Sequence, residues 1–91
     1  MVLEAAQITE VRPGEIPLNK MRQGQKGIIS HIDGGHHFNQ KIEAMGLHLG
    51  VSLEIISAQL MHGPVTVRVG STQAAIGFGM AGKIYIKLSE Q

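Results

Sequence analysis

The chain has 91 residues, 43% of them hydrophobic, 3% aromatic and none cysteine, with a formal net charge of +1 at pH 7. That length supports one domain, the lack of cysteine rules out disulfide bridges and thiolate metal sites, and the eight Lys and Arg neither cluster nor alternate with aromatic platforms as a nucleic-acid binder requires. No apolar run approaches the ~20 residues of a bilayer span, and no basic stretch leads into an apolar block at the N-terminus, so the expectation is a cytoplasmic protein that is not membrane-inserted.

Eleven Ile and six Val against three aromatic residues favour β structure, because side chains branched at Cβ fit a pleated surface. Residues 1–16 have no clear period and contain Pro13-Gly14, so they are read as a mobile N-terminal segment, with the packed domain over 17–91. Leu18 and Met21, three apart, suit one apolar turn tucked against a sheet. Lys26–Ile32 reads as the first strand, with Ile28 and Ile32 on one face and Ile29 and His31 on the other. Asp33-Gly34-Gly35 is a turn. From His36 to Met45 the period changes: Phe38, Ile42 and Met45 fall at i, i+4 and i+7 on one helical face and are expected in the core.

Gly46 is placed to end this helix in left-handed backbone, and Gly50 turns the chain into a strand over Val51–Ala58, with Val51, Leu53 and Ile55 inward. Leu60–Pro64 is a loop. Val65, Val67 and Val69 alternate with Thr66 and Arg68 in a half-buried strand, and Gly70-Ser71 is a hairpin corner leading to Thr72–Ile76. Gly77–Gly82 is glycine-rich enough to predict a single 3₁₀ turn. A closing strand over Lys83–Leu88 carries Ile84, Ile86 and Leu88 inward. About five short strands and one short helix fit a mainly β, partly open barrel, since curling a sheet hides most of its edges.

Four segments, in order, carry a family resemblance. They are Leu18…Met21…Gly24…Gly27-Ile28, the helix and corner Lys41-Ile42-Glu43-Ala44-Met45-Gly46-Leu47-His48-Leu49-Gly50, the step Gly63-Pro64-Val65-Thr66-Val67, and Ala75-Ile76-Gly77-Phe78-Gly79-Met80-Ala81-Gly82-Lys83-Ile84. Over residues 17–88 the chain resembles the FeoA family, an SH3-like barrel associated with bacterial ferrous iron uptake. It departs from the family pattern at Lys41, where Arg is usual, Leu49, where Pro is usual, and Gly63, where Asp is frequent. The resemblance implies a non-enzymatic accessory protein that contacts the cytoplasmic part of the FeoB permease and is recruited to the inner face of the membrane. The same barrel ends metal-dependent repressors of the diphtheria-toxin-repressor type, so the alternative is a transition-metal-binding or metal-sensing module. No helix-turn-helix pattern precedes it here, and a free-standing protein is expected.

Catalysis finds little support in the residues. No nucleophile motif surrounds any serine or threonine, and the glycines of 77–82 lack the βαβ context of a dinucleotide site. Of the five histidines, no pair has ligand spacing on a helix or strand. His36 and His37 are the candidate metal donors, forming at most a weak, exposed site for Fe2+ or Zn2+ completed by another chain, and no cofactor is required. Their other reading is as solvated loop residues. Lys41, His48 and Leu49 at the helix end, beside Met61 and His62 of the next loop if the barrel closes, form the candidate partner-binding patch. Against that, Leu49 and Met61 could simply complete the core rim. Self-association of the chain is left open.

Overall fold

The computed structural model describes residues 14–59 and 61–89. Residues 1–13, the larger part of the segment expected ahead of the domain, and Leu60 of the expected loop lie outside the described residues. Six strands, one more than the sequence pattern suggests, form a single antiparallel sheet: β1 Glu15–Pro17, β2 Lys26–Ile32, β3 Ser52–Ala58, β4 Val65–Val69, β5 Thr72–Ile76 and β6 Ile84–Leu88. Their order is β1-β6-β2-β3-β4-β5, an unclosed SH3-like sheet with β1 and β5 at its two edges. The extra strand is β1, three residues paired to β6 through Glu15 with Lys87, Ile16 with Ile86 and Pro17 with Tyr85. It brings Glu15 and Ile16 into the sheet, ahead of the boundary drawn at residue 17. A strand this short, containing proline, has no period to read.

The core is aliphatic. Leu18 of the 3₁₀ turn Leu18–Lys20, Ile29, Ile42, Leu47, Ile55, Val67, Ile76, Ile84 and Ile86 are all essentially inaccessible. Each fully buried side chain of this size contributes roughly 1.5–3 kcal/mol. Among the described residues no polar or charged side chain is buried with them. Gly27 lets β2 approach β6 closely, because a Cβ there would meet the Lys87 carbonyl oxygen at 2.6 Å.

Helix α1, His36–Glu43, packs against the sheet through Ile42. Ile42 is buried, while Phe38 and Met45 pack against the core from partly exposed positions. The exit of α1 is a Schellman turn: the Gly46 amide donates to the Glu43 carbonyl at 2.9 Å and the Leu47 amide to the Ile42 carbonyl at 3.0 Å. Gly46 sits at φ +86°, where any Cβ is disfavoured. Ile42 and Leu47, the apolar pair that accompanies this motif, are both fully buried.

Two bulges set the curvature. Between β2 and β6 the register shifts after Ile29, and between β3 and β4 after Ile55, so that Ser30 and Ile56 are each an extra residue in their strands. The first bulge corrects the faces expected for β2. Ile32 packs against the core that holds Ile29, while Ile28 is 43% exposed. One inserted residue resets a period of two. Leu88 is also corrected from inward to exposed, at 37%, because its cross-strand neighbour Gly27 offers no side chain to cover it. The segment over 77–82 is an α-turn, not the expected 3₁₀ turn: helix α2, Phe78–Ala81, is closed by i→i+4 bonds from Ala81 to Gly77 (2.9 Å) and Gly82 to Phe78 (3.1 Å).

Candidate functional site

The corner that follows α1 builds one of the clefts of the fold. Its backbone is stitched to β2 by two bonds, the Gly50 amide to the Ile29 carbonyl and the Ile29 amide to the Val51 carbonyl, both 2.9 Å. Leu47 is drawn into the core by the Schellman turn, which leaves His48 and Leu49 on the outside. Between this corner, β2 and α1 lies a cleft of about 420 Å³, lined by Ser30, His31, Ile32, Asn39, Glu43, Leu47, His48 and Leu49.

Each wall has a local cause. The bulge at Ser30 places Ser30 and His31 at the cleft, and Asn39 and Glu43, at i and i+4, present one side of α1 to it. The Ser30 hydroxyl donates to Glu15 Oε2 at 2.6 Å and lies 3.4 Å from the Tyr85 carbonyl oxygen, which ties edge strand β1 to the cleft wall across β6. The His31 ring lies against Tyr85 with centroids 5.5 Å apart. His48 Nδ1 is 3.3 Å from the Leu49 carbonyl oxygen. Leu49 is 59% exposed, which makes it the apolar lip of a cleft lined also by Ile32, Leu47 and several polar groups. Such a surface suits binding: an aliphatic contact flanked by imidazole, amide and carboxylate groups able to orient a partner.

Of the residues expected to form a partner patch, the structure brings His48 and Leu49 together in this cleft. Lys41 is exposed on α1, two positions from both Asn39 and Glu43 and so turned away from the cleft side. Met61 and His62 do not line it. They lie in the connection from β3 to β4, where the His62 ring stacks on Phe78 of α2 with centroids 4.4 Å apart and planes at 24°. His36 and His37, in the first turn of α1, are exposed, with ring centroids 6.1 Å apart and planes at 63°. Among the described residues no group of three or more His, Asp or Glu is placed to hold a metal ion. Sequence reasoning passed over Ser30, His31, Ile32, Asn39, Glu43 and Leu47 as cleft residues. The i,i+4 spacing of Asn39 and Glu43 was the one available signal, since the bulge that completes the wall is a tertiary feature.

Comparison with known proteins adds an independent line. A family model described as the FeoA domain matches residues 16–88. A Methanocaldococcus jannaschii protein provisionally named Fe(2+) transport protein A is 34% identical over 74 residues, spanning 81% of this chain and 88% of that protein. The crystal structure of an iron uptake regulatory protein (FeoA) superposes with a TM-score of 0.78 at 37% identity, covering 82% of this chain and 99% of the other. A manganese-dependent transcriptional repressor superposes with a TM-score of 0.77 at 20% identity, over 87% of this chain but 44% of the repressor. That last likeness is one of fold.

Proposed function

The chain belongs to the FeoA domain family, and from that premise we propose that it is an accessory binding protein of ferrous iron uptake, acting on the cytoplasmic part of a FeoB-type permease. The observation that carries this reading is the pairing of a family match over residues 16–88 with relatives at 34% and 37% identity whose names concern iron transport and uptake. Among the described residues no helix is long and apolar enough to cross a membrane, so the contact is assigned to the water-exposed part of the partner. Its action is binding, not catalysis.

The cleft beside α1 is the surface assigned to that contact. Leu49 supplies the exposed aliphatic group and His48, Asn39 and Glu43 the polar edge. Titration of the permease's purified cytoplasmic domain into the full chain is expected to show saturable binding, weakened about tenfold or more by Leu49→Asp, a loss of at least about 1.4 kcal/mol. Absence of binding by the wild-type chain at tens of micromolar overturns the partner. Binding that ignores Leu49→Asp overturns the surface.

Iron enters this reading as cargo. His36 and His37 remain the candidate donors for a weak Fe(II) or Zn(II) contact; among the described residues no third ligand joins these two exposed imidazoles, and two alone hold such ions loosely. Calorimetric titration with Zn(II) is expected to give weak binding that disappears in the His36→Ala, His37→Ala double variant. Binding unchanged in that variant removes the pair from consideration.

A further inference from the structure

The unclosed sheet has two edges, and they are built differently. β1 is three residues long and includes Glu15 and Pro17, a charge and an imino acid that blunt an edge against further pairing. β5, Thr72-Gln73-Ala74-Ala75-Ile76, is five residues long, contains no charge and no proline, and keeps an unbroken register with β4. Among the described residues, the strand itself carries no charge, proline or bulge of the kind by which natural sheets protect an edge.

The hairpin fixes which backbone groups that edge presents. Gly70, at φ +61°, and Ser71 form a two-residue turn, which makes Val69 and Thr72 a hydrogen-bonded pair. By alternation, Thr72, Ala74 and Ile76 direct their N–H and C=O groups at β4, and Gln73 and Ala75 direct theirs outward. Among the described residues no backbone bond outside the ladder engages Gln73 or Ala75. Both side chains are exposed on the outer face. Along the inner side runs a cleft of about 480 Å³ whose lining, including Met45, Gly46, Val69, Thr72 and Ala74, has no ionisable group.

We propose that the β5 edge docks a second copy of the chain, the two β5 strands running antiparallel about a twofold axis that passes between their Ala74 residues. This register pairs all five residues of both strands, Thr72 with Ile76 and Gln73 with Ala75 of the second copy. The outward groups of Gln73 then exchange both N–H···O bonds with those of Ala75 on either side of the axis. The edge is self-complementary in chemistry as well. No charged side chain on β5 meets its own image, the axis residue is small, and the nearby Arg68 of β4 is held by Glu54 at 2.8 Å. The cleft beside the edge is lined by uncharged residues, Met45, Val69 and Ala74 among them, so no fixed charge opposes an incoming strand there. The proposal rests on edge geometry and not on the permease reading, and no permease is present in its test.

The chain has no cysteine, so one introduced thiol reports the register. In this pairing Ala74 faces Ala74 of the second copy as a non-hydrogen-bonded pair, with Cα atoms about 4.5 Å apart, within disulfide reach. Mild oxidation of full-length Ala74→Cys is expected to give a disulfide-linked dimer. Gln73→Cys, whose neighbour across the axis is Ala75, is expected to remain mostly monomeric. In sedimentation equilibrium the wild-type mass is expected to rise towards a dimer by about 1 mM, near −4 kcal/mol of association. Gln73→Lys with Ala75→Lys sets like charges opposite each other and is expected to weaken association about tenfold or more. Gln73→Glu with Ala75→Lys, which sets opposite charges together twice, restores it. Side chains at these outward positions leave the fold intact, checked by circular dichroism. A wild-type chain that stays monomeric at about 1 mM, or equal cross-linking at positions 73 and 74, overturns the proposal.

Discussion

Of the stretches of this chain that pass through left-handed backbone, two are filled in opposite ways. At the exit of α1 the position belongs to Gly46, and the flanking Ile42 and Leu47 are fully buried. In the connection before β4 it belongs to Met61 and His62, at φ +63° and +66°, where an ordinary residue is disfavoured by roughly 1–2 kcal/mol. Met61 is 92% exposed, and His62 is held by its ring contact with Phe78. The strain-free turn lies where the core depends on it; the strained one lies at the surface, braced by the stack on Phe78 and by the Gln59 amide donating to the Pro64 carbonyl at 3.4 Å. Backbone penalties of this kind are tolerated when the surroundings over-determine them.

The contrast can be broken most directly at the core. Ile42→Ala is expected to lower the free energy of unfolding by about 2–5 kcal/mol, whereas Met61→Ala stays within about 0.5 kcal/mol. Comparable losses in urea titrations would mean that the two stretches do not differ in how the fold relies on them. A smaller effect is expected at the turn itself: Gly46→Ala costs about 1–2 kcal/mol by placing a Cβ in left-handed backbone, read as a shifted urea midpoint with an unchanged slope. His62→Ala removes the stack on Phe78 and is expected to cost about 0.5–1.5 kcal/mol; no change would show that the ring contact braces nothing. The smallest effect has the opposite sign. Met61→Gly relieves the backbone penalty but adds freedom to the unfolded chain, and is expected to raise stability by up to about 1 kcal/mol. A loss of stability there would place the penalty elsewhere.

The parts of this fold that could be read from the chain are those with a short local cause. Phe38, Ile42 and Met45 repeat at the helical period, and the left-handed stop at Gly46 follows from its position after them. Val65, Val67 and Val69 alternate without interruption, and β4 spans those residues. What resisted reading was non-local. The inserted Ser30 resets the faces of β2 only because β6 defines a register to slip against. β1 exists as a strand only because β6 is there to pair it, and α2 closes its i→i+4 bonds despite a composition that suggests a looser turn. The cleft draws its lining from β2, α1 and the corner, so no single window of sequence contains it. His48 and Leu49 were legible because they follow directly from the helix stop. Their separation from Met61 and His62 was not, since it depends on the path of the whole of β3.

The two inserted residues, Ser30 and Ile56, sit in adjacent strands. Each lengthens one strand relative to a neighbour it remains bonded to, so the ribbon bends as a bimetallic strip does when one layer outgrows the other. The hollow that receives Ile42 and Leu47 is therefore set by a difference in strand length, before any side chain enters it. Deleting either residue would restore an unbroken register and remove the local bend it introduces.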